Sequence, residues 1–158
     1  IEAGRYQLNE ESVQLVDITE DCIGMVQLRA KAKSIRITDQ FEPDMPSLWA
    51  DEKSIRQVIL NLLSNAVKFT NPKGRVIVRA KRVAGSICLT IADTGIGIPK
   101  AAMLKIGQPF EQVQSQYAKT QGGSGLGLAI SRSLTQLHGG EMRISSREGR
   151  GTIIVVRI

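Results

Sequence analysis

The segment from Asp51 to Phe69 constrains the fold of this chain most strongly, because it reads as one long amphipathic helix. Asp51 is a favoured N-cap residue, and the sequence Asn71-Pro-Lys-Gly74 supplies a stop signal after the helix. Its apolar residues recur at helical spacing: Ile55, Val58, Ile59, Leu62, Leu63, Ala66 and Val67. This stripe predicts a helix with a core-facing side.

A second stripe on the same helix is polar. At 100° per residue, Asn61, Asn65 and Lys68 share a flank away from the apolar centre. Asparagine has poor helix propensity, and solvent exposure is the ordinary explanation for finding it there. The functional explanation is that an amide oxygen binds Mg²⁺ and the lysine lies near a phosphate. The helix alone leaves both explanations open.

The remaining periodicity predicts helices that alternate with strands and hairpins, without repeated strand-helix-strand units. A helix opening at Asp17 and another from about Gly125 to His138 join the central one. The predicted strands span residues 11–16, 35–41, 76–83, 87–92, 141–146 and 152–158. This order predicts an α+β fold with one mixed sheet that three helices cover on one face.

Charge and composition limit the classes of partner. The net charge is +6 and the pI about 9.6, but the basic residues are scattered and aromatic content is only 4%. With no platform for stacking bases, nucleic acid is not predicted as a partner. No apolar run reaches the roughly 20 residues that span a bilayer. Cys22 and Cys88 fit buried, reduced thiols, so we expect a soluble domain in the cytoplasm.

Two glycine-containing segments offer nucleotide chemistry. Asp93-Thr-Gly95-Ile-Gly97 follows a strand, and a simple turn would explain it. Alternatively, the glycines admit a flat ring while the carboxylate accepts a hydrogen bond from the amine of adenine. Gly122-Gly-Ser-Gly125-Leu-Gly127 opens a helix, where unpaired N–H groups can hold phosphate. Neither a Rossmann fingerprint nor a Walker lysine is present.

With a fourth segment, Gly149-Arg-Gly151-Thr152, the chain resembles the catalytic ATP-binding domain of a bacterial sensor histidine kinase. The wider superfamily includes DNA gyrase B, the mismatch-repair ATPases and the heat-shock ATPase chaperones. Asn61 to Phe69 resembles the N box of this family, and residues 93–99 and 123–127 resemble its glycine boxes. Phe110-Glu-Gln112 resembles its phenylalanine box. The resemblance implies an α/β sandwich of the Bergerat type with a flexible ATP lid at about 99–123.

The resemblance also implies roles for individual residues. Asn65 would be the magnesium ligand, with Asn61 and Lys68 near the phosphates and acting in catalysis, while Asp93 would bind adenine. The other residues implied at the nucleotide are Gly95, Gly97, Ile98, Phe110, Ser124, Gly125, Leu126, Gly127 and Thr152. Many family members carry Arg where this chain has Gln112, which leaves Lys105 and Lys119 as candidates for the cation at the γ-phosphate.

The resemblance implies Mg-ATP as substrate and a histidine on a separate dimerisation domain as phosphoryl acceptor. ATP-hydrolysing relatives carry a Glu base where this chain has Asn61, and an amide cannot act as a base. His138, the single histidine, ends a helix before Gly139-Gly140, where a C-capping role is expected.

We expect residues 1–9 to be the tail of the preceding helical hairpin and residues 10–158 to be the catalytic domain. The expected partners are ATP or ADP, that dimerisation domain and a response-regulator receiver domain. The domain itself is expected to be a monomer and the parent kinase a homodimer with a possible membrane anchor. A pseudokinase-like docking module and an ATPase of the same superfamily are the alternatives.

Overall fold

The computed structural model describes residues 7–105 and 127–158, without the side chains of Leu104 and Lys105. Three α-helices, seven strands and one short 3₁₀ helix at Lys100–Lys105 occupy these ranges. The helices are α1 (Leu15–Ala32), α2 (Glu52–Phe69) and α3 (Gly127–Leu137). The strands are β1 (Glu10–Val13), β2 (Arg36–Phe41), β3 (Leu48–Asp51), β4 (Arg75–Val83), β5 (Ser86–Asp93), β6 (Glu141–Arg147) and β7 (Gly151–Arg157).

Five strands form one mixed sheet in the order β2-β4-β5-β7-β6. Strand β2 pairs with β4 in parallel, and every other pairing in this sheet is antiparallel. Strands β4 and β5 correspond to the predicted strands 76–83 and 87–92 and form a hairpin, in which the positive φ angles of Ala84 and Gly85 suit a tight two-residue turn. The predicted sheet and its helical cover are confirmed.

The helices form a second layer with α2 at its centre, between α1 and α3. The predicted apolar stripe of α2 is buried, and Leu62 and Leu63 are almost inaccessible to solvent. These side chains meet the alternate residues of the sheet that point towards the helices, such as Val76, Val78 and Ile91. Burial of one helix stripe and one sheet face therefore produces a single core.

Two local predictions are wrong. Helix α1 begins at Leu15 after Gln14, which makes no side-chain capping bond, so Asp17 lies in the first turn instead of capping the helix. Burial of Leu15 and Ile18 in the core accounts for the earlier start. Residues 48–51, where no strand was predicted, form β3, which pairs with β1 in a separate two-stranded antiparallel sheet.

The uncovered face of the five-stranded sheet collects cations that are scattered along the sequence. By strand register, Arg36, Arg75, Arg79, Lys81, Arg143, Arg147 and Arg157 all belong to this face. All but Arg157 are exposed. Among the residues described, no helix combines the length and apolar character of a membrane span.

Candidate functional site

A row of three polar side chains crosses the sheet at the end where β5 finishes and β7 begins. Asp93 pairs with Thr152, and Thr152 pairs with Ser146 of β6. Paired residues lie on the same side of a sheet, and here that side faces the helices. Polar groups at core-facing positions need partners, so this row marks an interruption of the apolar core.

Among the residues described, the carboxyl group of Asp93 has a strongly shifted pKa. Its Oδ1 accepts a hydrogen bond of 2.8 Å from the backbone N–H of Gly95, and the Thr152 N–H also donates to its carboxylate. Burial nevertheless outweighs both donors and raises the pKa of Asp93 from 3.8 to about 6. A carboxylate has more acceptor sites than these two donors use, so it retains capacity for a further donor.

The glycine segment, residues 94–98 after Asp93, is held between α2 and the β6-β7 hairpin. The Ile96 N–H donates to the Phe69 carbonyl oxygen at 3.1 Å, and the Gly149 N–H donates to the Ile96 carbonyl oxygen at 2.7 Å. Gly97 has φ of 70°, and a Cβ there would collide with the carbonyl oxygen of Arg147. The glycines thus permit both the left-handed backbone and its close approach to neighbouring chain.

The polar flank of α2 faces the start of α3. Asn61 Nδ2 makes long hydrogen bonds of 3.4 Å to the Gly127 carbonyl oxygen and to Ser131 Oγ. A Cβ on Gly127 would lie 3.9 Å from Asn61 Cγ and from Asn65 Nδ2. Because a carbonyl only accepts, the contact with Gly127 fixes which side of the Asn61 amide carries nitrogen. The Asn61 amide is therefore oriented by α3.

Lys68 lies at the end of the same flank, half-buried, with its Nζ 5.4 Å from the centroid of the Phe69 ring. That distance allows a cation–π contact. A different lysine caps the helix: Lys33 Nζ donates to the carbonyl oxygens of Val67 and Lys68 at 2.9 and 3.0 Å. The C-terminal carbonyls of α2 are thus satisfied without the Lys68 ammonium.

We use the word cleft for the region where α2, the glycine segment and the first turn of α3 meet; the predicted residues that the structure describes belong to these elements or to the adjoining ends of β5 and β7. They are Asn61, Asn65, Lys68, Asp93, Gly95, Gly97, Ile98, Gly127 and Thr152. The end of α2 touches the glycine segment through Phe69, and α3 touches α2 through Gly127. The remaining predicted residues, Phe110, Ser124, Gly125 and Leu126, lie outside the described residues, as do most of the lid and Lys119.

Two residues of this region were not predicted. Ser146 accepts a 2.8 Å hydrogen bond from the Ile98 N–H, and Ser131 is fully buried beside Asn61. Strand alternation could have indicated Ser146, since Met142 and Ile144 put it at a core-facing position. Its partners come from separate strands and loops, however, so sequence spacing could not reveal them.

His138 lies away from this cleft. Its Nδ1 is 2.7 Å from the Leu134 carbonyl oxygen, and its Nε2 accepts a 3.1 Å hydrogen bond from the Asp51 N–H. The first contact confirms the predicted interaction with the C-terminus of α3. Asp51 also caps α2 as predicted, through a 2.9 Å bond from the Ser54 N–H to Oδ1. His138 therefore joins the end of α3 to the start of α2.

The sequence profile of the histidine kinase-, DNA gyrase B- and HSP90-like ATPases matches residues 50–158. A sensor-like histidine kinase of Rhizobium meliloti is 40% identical over all of this chain, which spans 30% of that protein. The histidine protein kinase DivJ of Caulobacter vibrioides is 34% identical over all of this chain, which spans 26% of its length. The chain thus spans less than a third of these relatives.

Solved structures give the same result. ShkA, crystallised at full length with AMPPNP, is 31% identical with a TM-score of 0.85, covering 98% of this chain and 32% of ShkA. The mycobacterial sensor histidine kinase MprB is 28% identical with a TM-score of 0.81, covering 94% of this chain and 96% of that one. Both the sequence profile of the family and the backbone fold of these kinases match most of this chain. The protein therefore belongs to the family of histidine kinase-, DNA gyrase B- and HSP90-like ATPases.

Proposed function

We propose that this chain binds Mg-ATP and, as part of a sensor histidine kinase, positions the γ-phosphoryl group for transfer to a histidine on another domain. The observation that carries the proposal is the Asp93 carboxylate, which is half-buried beside the glycine segment and has acceptor capacity to spare. An acceptor in that position selects a donor such as the exocyclic amine of adenine. The ShkA complex with AMPPNP supports an adenine nucleotide as the ligand.

The donor set of the cleft fits magnesium bound together with a nucleotide. In the described ranges, no three His, Cys, Asp or Glu side chains converge as a metal cage. Mg²⁺ often relies on one or two protein oxygens, water and substrate phosphates. As the resemblance to sensor histidine kinases implies, we assign the magnesium ligand to the amide oxygen of Asn65. The bound ion would neutralise charge on the phosphates.

The other residues of the cleft would bind and orient the nucleotide. Lys68 follows Asn65 on the same flank and would bring its ammonium towards the phosphates. Thr152 and Ile98 would border the base beside Asp93, and Gly127 would leave room for phosphate at the first turn of α3. Phosphoryl transfer asks little covalent chemistry of the protein, so positioning and charge would supply most of the catalysis.

Transfer to a side chain fits this cleft better than hydrolysis. Asn61, at the position that carries the general base in hydrolysing relatives, is an amide whose nitrogen donates to Gly127 and Ser131. An amide cannot take a proton from water. We therefore propose a histidine of the parent kinase as acceptor, on the dimerisation domain to which residues 1–9 would connect, and a receiver domain as the next partner. The domain would act in the cytoplasm.

Calorimetric titration of Mg-ATP into the protein tests the proposal directly. We expect binding that magnesium strengthens in the wild type. In Asn65→Ala the magnesium effect should be lost, because the variant lacks the assigned oxygen ligand. Asn71→Ala is the matched control, since it deletes an exposed amide shortly after the same helix.

Each outcome of this titration has one meaning. No binding of ATP by the folded wild type would refute the proposed function. An equal magnesium effect in the wild type and Asn65→Ala would instead move the metal ligand to another residue. Loss of the effect in Asn71→Ala as well would show that the change is not specific to the cleft.

A further inference from the structure

Ser146 lies at the centre of a hydrogen-bond network that joins three parts of the cleft. Its Oγ accepts from the Ile98 N–H at 2.8 Å, lies 2.9 Å from the Gly151 carbonyl oxygen and lies 2.8 Å from Thr152 Oγ1. Through these contacts it ties the glycine segment to the start of β7. A serine hydroxyl has one proton to donate and two lone pairs to accept.

These distances decide where the protons lie. Two oxygens 2.9 Å apart need a proton between them, and the Gly151 carbonyl has none, so Ser146 must donate to it. The proton between Ser146 and Thr152 must then come from Thr152. Ser146 is left with one donated and two accepted hydrogen bonds, which exhausts its hydroxyl. Thr152 donates its only hydroxyl proton to Ser146.

The direction of the Thr152 hydroxyl matters because Thr152 is paired with Asp93 across the sheet. With its proton turned to Ser146, the Thr152 hydroxyl can only accept hydrogen bonds from a ligand. The neighbouring carboxylate of Asp93 can also only accept when it is ionised. The two side chains therefore present acceptors and no side-chain donor to the base.

We propose that Ser146 is a positioning residue for base specificity: it orients Thr152 as an acceptor and thereby favours a purine with an amine at position 6 over one with a carbonyl there. The inference rests on the proposed nucleotide-binding function and extends it to the choice of base. A carbonyl at position 6 would meet lone pairs from both Asp93 and Thr152. Leaving such groups unpaired in a buried site is what makes hydrogen-bond discrimination strong.

Ser146→Ala tests the proposal, with the Mg-ATP and Mg-ITP complexes as probes. ITP differs from ATP by a carbonyl in place of the 6-amine and by the proton that N1 then carries. In the variant the Thr152 proton is released and can turn towards the base, so the preference for ATP over ITP should fall roughly three- to tenfold. Ser146→Thr, which keeps the hydroxyl, should restore the preference. Ser145→Ala, on the exposed face of the same strand, is the matched control.

The outcomes separate specificity from support of the fold. Equal weakening of both nucleotides by Ser146→Ala, with no change in their ratio, would overturn the proposal and leave Ser146 a structural role. Failure of Ser146→Thr to recover the ratio would also overturn it. A wild type that binds neither nucleotide would refute the proposed function itself.

Substitutions of Thr152 provide a second test that applies if Ser146→Ala does not fold. Thr152→Val preserves the branched shape and removes the hydroxyl, so the preference for ATP should fall as in Ser146→Ala. Thr152→Ser retains the hydroxyl and should retain the preference. The same preference in Thr152→Val and Thr152→Ser would overturn the inference, because the orientation of that hydroxyl would then have no effect on the base.

Discussion

Asp93 places an ionisable carboxyl group where the folded protein would be more stable without a charge. Its pKa of about 6 in the fold lies above the ordinary value of 3.8, because burial disfavours the charged form. At neutral pH this difference corresponds to a cost of about 3 kcal/mol in folding free energy. Such a cost is expected at a binding residue, where function conflicts with stability.

We predict that Asp93→Asn stabilises the protein without nucleotide while weakening ATP binding. Asparagine can still accept from the Gly95 N–H but carries no charge, so the free energy of unfolding at pH 8 should rise by up to about 3 kcal/mol. The affinity for Mg-ATP should fall by about 1.5–3 kcal/mol, because a charge-assisted acceptor is lost. Urea unfolding and calorimetry on the same samples measure the two effects.

The stability difference should depend on pH in one direction. Since the folded pKa lies above the unfolded one, the cost of Asp93 is complete above about pH 6 and absent below 3.8. The free energies of unfolding of wild type and variant should therefore converge as the pH falls from 7 to 4. Asp39→Asn, which changes an exposed carboxylate on β2, is the control. A difference that does not change with pH would contradict this account of Asp93.

Residue types at short spacing let the sequence predict Asp93 and the asparagines of α2 as candidates, and the resemblance to histidine kinases implied Thr152. The hydrogen-bond partners of Ser146 could not be predicted, although strand parity placed the residue on the core side. Its role depends on three contacts made by Ile98, Gly151 and Thr152, and the one with Ile98 spans 48 positions of the chain. The proton direction at Thr152 follows only from those distances.

The glycine segment acts as one element because both of its sides are held. Gly97 and Gly149 have similar left-handed φ angles of 70° and 77°, yet their surroundings differ. A Cβ on Gly97 would collide with the Arg147 backbone, whereas nothing lies within 4 Å of a Cβ on Gly149. Replacing each of these two glycines by alanine therefore separates the free-energy cost of a left-handed backbone from that of a steric clash.

We predict that Gly149→Ala lowers the free energy of unfolding by only about 1–2 kcal/mol, the cost of a left-handed conformation for a residue with a Cβ. Gly97→Ala should cost at least roughly 2 kcal/mol more, because overpacking is added. It should also weaken ATP binding by shifting the segment that follows Asp93. Thermal and urea unfolding measure the difference. Equal destabilisation by the two substitutions would mean that the segment moves freely away from the β6-β7 hairpin.

Elements with strong local signals were predictable, and those that depend on tertiary contacts were not. Helix α2 and the β4-β5 hairpin combine periodicity with clear capping or turn residues, so the sequence located both. The four residues of β3 are stabilised as a strand by pairing with β1, about 40 positions away. The start of α1 is likewise decided by burial of Leu15, which outweighs the capping preference of Asp17.

At the scale of the whole molecule, the sheet topology shows where the excess positive charge lies, which composition alone does not show. The basic residues look scattered along the chain, but strand register gathers seven of them on the uncovered face of the sheet. The polar row of Asp93, Thr152 and Ser146 belongs to the opposite face. The excess positive charge of this face is therefore separated by the sheet from the proposed nucleotide site.

The single histidine of the chain is engaged on both sides of its ring. His138 Nδ1 contacts the Leu134 carbonyl oxygen, and its Nε2 lone pair accepts from the Asp51 N–H. A nucleophilic nitrogen needs a free lone pair, and this one stabilises the junction between α3 and α2. Asn61 provides no base that would direct the phosphoryl group to water. The one histidine among these 158 residues is thus not available as an acceptor for the proposed donor site.

We therefore predict that the 158-residue protein gains no acid-labile phosphate from γ-labelled ATP, although it binds the nucleotide. Label should appear once the histidine-bearing hairpin proposed for the parent kinase is joined to it, and Asn65→Ala should abolish that labelling. His138→Ala in the joined protein should leave the labelling intact, provided that circular dichroism shows the variant to be folded. Label on the isolated protein that disappears in His138→Ala would refute the missing acceptor. Steady release of inorganic phosphate would instead assign the domain to ATP hydrolysis.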